Sequence, residues 1–390
     1  MSVAVKPPTS AEPSAMRIPY AYLQSQYPAE VAKPILDDIA RLVSTGDFTL
    51  GAPVREFEGR AEAASKIPHA VGMASGTDAL VLALMALGVG PGDEVITATN
   101  SFVASAGAIA MAGASPVLVD VLDDYTIDPE AVERAITLHT KAVIPVHLTG
   151  NMAMVPQIVE ITQRASLRLG HRIAVVEDAA QAMGATLNGQ HAGWFGDVAC
   201  VSLHPLKMLN VWGDGGICLT RSADLDRKLR LLRNHGLETR DDAVCWGANG
   251  RISSLQAVVA NHAIQRLPWT LARRRTAAAA LTHLLSDLHG RVTPPVTRYG
   301  IKPSWATYIM RAQRRDALKA YLIARGVDAK IHYPKPIHLQ TVGRQMGYGP
   351  GDCPEAERQA DEILTLPLHE YLTDDDIQYM STTIHAFYAA

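Results

Sequence analysis

The stretch Ser202-Leu-His-Pro-Leu-Lys-Met-Leu-Asn-Val-Trp-Gly-Asp-Gly-Gly216 places one lysine, Lys207, among apolar and glycine residues, with no acidic residue within four positions. Lysine ordinarily keeps its ammonium group in water. Held among apolar neighbours, its pKa falls and a larger share becomes free amine, the form that condenses with a carbonyl to a Schiff base. A second candidate is Asp178, in Glu177-Asp-Ala-Ala-Gln-Ala-Met-Gly184 directly after the apolar run Ile173–Val176. A carboxylate delivered there by a buried strand needs a partner. The protonated ring nitrogen of a cofactor would serve, and so would the N–H groups of a following helix, with Asp178 as a plain N-cap. The third is Ala74-Ser-Gly-Thr-Asp-Ala-Leu80. Free N–H groups at a helix start, with the Ser75 and Thr77 hydroxyls, form an anion site; they also form an ordinary cap.

These residues require elements that bring them to one place. Helical periodicity runs over Ala29–Ser44 and Val54–Ser65, after which short apolar runs alternate with helical stretches. Ala70–Ala74, Glu94–Thr97, Pro116–Asp120, Ala142–His147 and Ile173–Glu177 read as strands. Thr77–Leu87, Phe102–Ala112, Pro129–Leu138 and Val155–Leu169 read as the helices between them. Such alternation predicts a mostly parallel sheet covered by helices, whose ligands sit at the carboxyl ends of the strands. Ala199–Ser202 reads as a strand end, so Ser202, His204 and Lys207 fall in the loop after it, and Gly213, Gly215 and Gly216 turn the chain into a strand at Ile217–Thr220. All three candidate sites thus follow strands. Pyridoxal phosphate requires a lysine for its C4′ carbon, a carboxylate for its ring nitrogen and an anion cup for its phosphate. The three stretches supply one each.

The alternation fades after about Asn249. Leu255–Gln265 and Leu271–Leu288 read as two helices, the second opening with Arg273-Arg274-Arg275 as a solvated basic face. Strand-like Tyr308–Arg311 and helical Asp316–Arg325 follow. The domains expected are a flexible Pro/Ser/Ala-rich tail over 1–17, a large domain over 18–270 and a smaller C-terminal α/β domain over 271–390.

Bulk composition excludes several classes. A net charge of −3 carries no basic excess for nucleic acid. Cys200, Cys218, Cys245 and Cys353 are scattered with no CxxC pair, which argues against a metal site and for reduced thiols in a cytoplasmic protein. Ser101–Val119 lacks charge and nearly reaches membrane-spanning length. Pro116 and the β-branched Val117-Leu118-Val119 make it instead a buried helix feeding a buried strand, so no membrane association is expected.

With these residues in place, the chain resembles the DegT/DnrJ/EryC1/StrS aminotransferases, pyridoxal-phosphate enzymes that aminate keto-sugars attached to nucleotides. The matching stretches are collinear and include Gly46-Asp-Phe-Thr-Leu-Gly51, Ala74–Leu80, Gly90-Pro-Gly-Asp-Glu-Val95, Pro145-Val-His-Leu-Thr-Gly150, Glu177–Gly184 and Ser202–Gly216. Arg233-Asn-His-Gly236, Gly247-Ala-Asn-Gly-Arg251, His332-Tyr-Pro-Lys-Pro-Ile-His338 and Leu366-Pro-Leu-His369 continue the series. The resemblance implies an aspartate-aminotransferase-like fold (fold type I), a homodimer with shared active sites, and transfer of an amino group from L-glutamate to C3 or C4 of a nucleotide-linked deoxysugar.

By the same resemblance, Lys207 carries the cofactor and moves the proton, Asp178 pairs with the ring nitrogen and Gln181 lies near the ring's 3-hydroxyl. Gly76, Thr77 and Ser202 hold the phosphate, Phe102 lies against the ring, and Asn249 reaches the phosphate from the partner subunit. His147, His332 and His338 are candidates for substrate contact, or else ordinary hydrogen-bonded histidines. The chain departs from the family pattern at the Thr-Asn-Ser-Phe sequence before Phe102, at Leu203 and Leu206, and at Thr149, where a tyrosine is common. Aminotransferases for keto-cyclitols and dehydratases, which carry histidine in place of the lysine, are the related alternatives. A regulatory descendant without catalysis would be expected to lose Lys207 or Asp178, and both are present.

Overall fold

The computed structural model describes residues 16–390. The tail expected over 1–17 lies outside the described residues except for its last two, of which Arg17 places its guanidinium over the Tyr379 ring.

The strands, in chain order, are β1 (His69–Met73), β2 (Glu94–Ala98), β3 (Ser115–Val119), β4 (Thr140–Ile144), β5 (Ala174–Asp178), the short β6 (Thr186–Leu187) and β7 (Gln190–His191), then β8 (Val198–Ser202) and β9 (Gly216–Thr220). Seven of them form one sheet in the order β1-β9-β8-β5-β4-β2-β3. Strands β8, β5, β4, β2 and β3 run parallel, and β9 enters antiparallel between β8 and β1. The mostly parallel sheet read from the sequence is therefore present. Every residue of β5 is buried, as expected for a strand covered on both faces. The reversed entry of β9 has a consequence for the site. Gly216, its first residue, pairs with Met73 at the carboxyl end of β1 and with Ser202 at the carboxyl end of β8. Asp178 pairs with Cys200 on the other side of β8. Four chain segments thus meet at one sheet edge.

Several expected elements differ: the strand read over Ala142–His147 spans Thr140–Ile144, and the helix read over Pro129–Leu138 ends at Ala135. The helix read over Phe102–Ala112 spans Ala104–Met111, leaving Phe102 and Val103 in the preceding turn. The two helices read on either side of residue 268 are one, Ser254–Leu284, with Pro268 inside it. Proline removes a backbone donor and usually ends a helix. Here the stripe passes from one core to another without interruption: Val258, Ile264, Leu267 and Leu271 pack with the large sheet, and Ala277, Ala278 and Leu281 with the C-terminal core. Tertiary packing on both sides outweighs the local penalty, and the boundary expected at residue 270 falls within this helix.

After the exposed hairpin β10 (Leu237–Thr239) and β11 (Asp242–Ala243), the remaining strands are β12 (Val292–Thr293), β13 (Ile301–Lys302), β14 (Tyr308–Ala312) and β15 (Ile363–Leu366). β12, β14 and β15 make an antiparallel sheet around which Leu318, Leu322, Ile377, Met380 and Ile384 pack, while β13 adds to β6. Among the described residues no helix is long and apolar enough to cross a membrane.

The basic triplet is only partly a solvated face: Arg273 is exposed and Arg275 half-buried, but Arg274 is buried. Arg274 is 1% exposed; its Nε donates to Glu370 Oε2 (3.0 Å), Nη1 to the carbonyls of Trp305, Ala306 and Leu368, and Nη2 to the Tyr22 hydroxyl. Arg273 donates to the carbonyls of Glu370 and Leu372, and Arg275 to those of Pro303 and Gly184. A guanidinium offers a fixed fork of N–H donors, and three in succession staple the long helix to the segments that flank it. Removing one partner of a buried ion pair leaves an uncompensated charge. Arg274→Ala is therefore expected to destabilise the protein by about 3–5 kcal/mol in urea denaturation; a loss below about 1 kcal/mol would show that the network does not hold these segments.

Candidate active site

The anion cup forms where β1 turns into the helix Gly76–Ala86. Ser75 is the N-cap of that helix: its Oγ accepts from Asp78 N–H (3.0 Å) and donates to the Asp78 carboxylate (2.8 Å). The capping reading is thus correct for Ser75. Capping leaves the N–H groups of Gly76 and Thr77 in the first turn, where a helix has no internal acceptors, and among the described residues neither donates to a backbone carbonyl. A Cβ on Gly76 would lie 2.7 Å from Ser202 Cβ, and one on Gly216 would lie 2.2 Å from the Ser75 carbonyl oxygen. The two glycines let three strand ends close around one small space, with donors from Gly76 and Thr77 on one side and the Ser202 hydroxyl on the other. The charge this cradle suits is an anion of phosphate size.

Lys207 lies in the loop from β8 to β9. That loop is fixed by Leu203 N–H to Gly215 O (2.8 Å), Val211 N–H to Leu203 O (2.9 Å) and Asn210 Nδ2 to Lys207 O (2.8 Å). Leu203, Met208, Leu209 and Val211 are buried around it. Burial pushes the Lys207 amine below the usual lysine range, and the Asp178 carboxylate opposes that shift. His204 stands exposed at the loop's start, its Nδ1 accepting from Leu206 N–H.

Asp178 ends β5, 5% exposed. Its Oδ1 accepts from Ala180 N–H (3.1 Å), as an N-cap would, but its Oδ2 accepts from the Ser105 hydroxyl (2.7 Å), which a capping role does not require. Its backbone is tied to the end of β4 on both sides, N–H to Pro145 O and carbonyl to His147 N–H. Gln181 Oε1 accepts from Thr149 N–H (2.6 Å), so the amide's Nε2 remains to donate elsewhere. That contact depends on the left-handed φ of +65° at Thr149 and on Gly150, where a Cβ would meet Ser304 Oγ.

The three histidine candidates separate. His147 is 0% exposed, its Nε2 bonded to Glu177 Oε2 (2.9 Å) and its Nδ1 accepting from Ala153 N–H. Glu177 in turn accepts from the N–H groups of Gly193, Phe195 and Gly196, and the His147 hydrogen bond helps hold its carboxyl below the usual range against the cost of burial. His147 is therefore a satisfied core residue beneath Asp178, not a substrate contact. His338 is equally buried, bonded to Thr99 Oγ1 (2.7 Å) and Glu357 Oε1 (3.0 Å), and it too is withdrawn. His332 is different. Its Nδ1 meets Thr365 Oγ1 (3.0 Å), while burial and the nearby charges of Lys207 and Lys330 lower its pKa to about 4. Its ring sits against Tyr20 and Tyr333, and the charge coupling puts it on the Lys207 side.

Phe102 is exposed in its turn, with Tyr333 5.8 Å away. Asn249 is exposed in the segment after the β10–β11 hairpin, three residues beyond Trp246, itself 92% exposed. Sequence reading missed Ser105 and Tyr333. Ser105 lies 73 residues from Asp178, and nothing in its helical context marks it; Tyr333 stood within a quoted motif whose histidines drew attention instead.

The chain belongs to the DegT/DnrJ/EryC1/StrS aminotransferase family, whose model matches residues 30–385. It is a pyridoxal-phosphate-dependent aminotransferase of the aspartate-aminotransferase type of fold. A Geobacillus stearothermophilus protein named "Pleiotropic regulatory protein" is 40% identical over 96% of this chain and 99% of its own length. The UDP-N-acetyl-3-dehydro-alpha-D-glucosamine 3-aminotransferase of Acidithiobacillus ferrooxidans is 40% identical over 94% of this chain and 97% of its own. The crystal structure of S. venezuelae DesV in complex with a ketimine intermediate matches with a TM-score of 0.91 and 36% identity, over 96% of this chain and 99% of that one.

The depressed lysine gives a direct test. In cofactor-free protein, the rate at which Lys207 reacts with a simple aromatic aldehyde is expected to level off at lower pH than for a surface lysine. Asp178→Asn removes the charge that favours the ammonium, so the plateau moves lower still. A plateau unmoved by Asp178→Asn would show that the two groups do not share one site.

Proposed function

We propose that this enzyme transfers an amino group from L-glutamate to a keto group, at C3, of a sugar carried on a nucleoside diphosphate. What supports the catalytic part is that Asp178 and the Gly76–Thr77–Ser202 cup lie at one sheet edge and that the Asp178 carboxylate acts on the Lys207 amine. The substrate class is supported by the Acidithiobacillus relative, whose name specifies a UDP-linked sugar and the 3 position. The name of the Geobacillus relative favours a regulatory reading. Retention of the amine, the carboxylate and the anion cup together favours catalysis here.

In this reading Gly76 and Thr77 donate their N–H groups, and Ser202 its hydroxyl, to the cofactor phosphate. Asp178 holds the proton on the ring nitrogen, and Gln181 directs Nε2 toward the ring's 3-hydroxyl. Bound there, pyridoxal phosphate supplies the aldehyde for amine exchange and a ring that accepts the electron pair of the broken C–H bond. Lys207, its amine shifted toward the free base by burial, would take the proton from the donor's Cα and return it at C4′. Phe102 covers the face of the ring. His332, neutral through the physiological range, offers Nε2 to a sugar hydroxyl. Asn249 serves the phosphate of the partner subunit, and the exposed hairpin with Trp246 lies across the dimer.

Protein loaded with pyridoxamine phosphate is expected to aminate a UDP- or dTDP-linked 3-keto sugar, identified by mass and NMR, and Lys207→Ala to abolish conversion. Conversion of a free keto-cyclitol alone, or of no ketone, would contradict the substrate assignment. Site sharing has its own test. Lys207→Ala and Asn249→Ala subunits, each impaired alone, should regain activity when unfolded together and reassembled, because one hybrid site keeps both residues. If activity does not return while mixed dimers form, Asn249 does not act across the interface.

A further inference from the structure

The helix that follows the Phe102 turn reaches the carboxylate of Asp178, and no role described above uses that contact. Ser105, 1% exposed, lies in the helix Ala104–Met111, with Oγ 2.7 Å from Asp178 Oδ2. Ser101, 2% exposed, stands one turn earlier, its Oγ 3.2 Å from Ser105 Oγ and 3.1 Å from the Phe102 carbonyl. Hydrogen-bond chemistry fixes the direction of this chain. An ionised carboxylate can only accept, so Ser105 donates to Asp178, which leaves its oxygen as one of two acceptors for the single Ser101 hydroxyl proton, the other being the Phe102 carbonyl. A buried helical serine usually returns its hydroxyl to the carbonyl four residues earlier. Ser105 instead spans from its helix to the end of β5.

We propose that Ser105 is a positioning residue for the cofactor: it fixes the rotation of the Asp178 carboxylate so that an oxygen faces the ring nitrogen, with Ser101 polarising the bond behind it. The proposal rests on the pyridoxal-phosphate reading of Asp178. Oδ1 is held by Ala180 N–H and Oδ2 by Ser105, so the plane of the carboxylate is set from both sides. Ser105 is three residues beyond Phe102, so one turn of chain places both the group against the ring face and the orientation of the group at its nitrogen. Each hydroxyl of the chain polarises the next, which makes the pair more than a sum of two contacts.

The test is a double-mutant cycle read by absorbance titration of cofactor-free protein with pyridoxal phosphate. Ser105→Ala is expected to weaken binding about tenfold, the worth of one hydrogen bond to a charged group. It is also expected to alter the pH dependence of the bound cofactor's visible spectrum. In an Asp178→Asn background the same substitution should change binding little, because Ser105 acts through the carboxylate. Ser101→Ala, which leaves the contact with Asp178 intact, should weaken binding about twofold and keeps the proposal testable if Ser105→Ala does not fold. Thermal melting of each cofactor-free variant separates a folding defect from a binding one. An unchanged affinity and spectrum in Ser105→Ala, or an equal loss with and without the carboxylate, would overturn the positioning role while leaving the cofactor reading intact. Asp178→Asn protein that binds the cofactor as well as the wild type would overturn the cofactor reading itself.

Discussion

The site depends on one steric constraint, the close approach of β1, β8 and β9 at their shared edge. Gly216 enters antiparallel beneath the Ser75 carbonyl, and Gly76 packs on Ser202, at distances where a Cβ would collide with its neighbour. Because β9 runs against its neighbours, the glycine-rich loop that precedes it returns to the same edge that β8 left. Lys207 is therefore held over the ends of the strands instead of projecting into solvent. Overpacked positions of this kind cost about 1–3 kcal/mol when a methyl group is forced in, and here the displaced backbone would belong to the anion cup.

Charge follows from that geometry. An amine whose ammonium form is disfavoured by burial feels the charge of a carboxylate that favours it. The two influences oppose each other, which keeps the amine reactive without making the proton unavailable. Beneath them, Glu177 and His147 occupy a layer with no solvent contact, and the backbone of Asp178 is bonded to the end of β4 on both sides. The chemistry at the edge thus rests on a polar layer whose hydrogen bonds are made within the protein, the condition under which buried charge is tolerated.

Much of this was legible in the sequence because strands announce their ends. Strands read as ending at Ala74, Glu177 and Ser202 located the turn, the carboxylate and the lysine loop without any three-dimensional information. What failed to show was burial of individual polar side chains. His147 and His338 stand in motifs that look like substrate contacts, yet their partners, Glu177 and Glu357, come from other elements. Arg274 looked like part of a wet face because its acceptors, Glu370, Tyr22 and three carbonyls, come from segments distant in the chain. Leu255–Gln265 and Leu271–Leu288 read as two helices, since a local rule cannot see one helix shared by two cores. Ser105 was invisible for the same reason: its importance lies in a contact 73 residues away.

The central claim is that Lys207 is the amine that carries the cofactor. Incubation with pyridoxal phosphate, reduction with borohydride and peptide mapping by mass spectrometry test it most directly. The account predicts a single pyridoxyl addition, located on Lys207 in the peptide that follows Ser202. Addition at another lysine, or none at all, would contradict it.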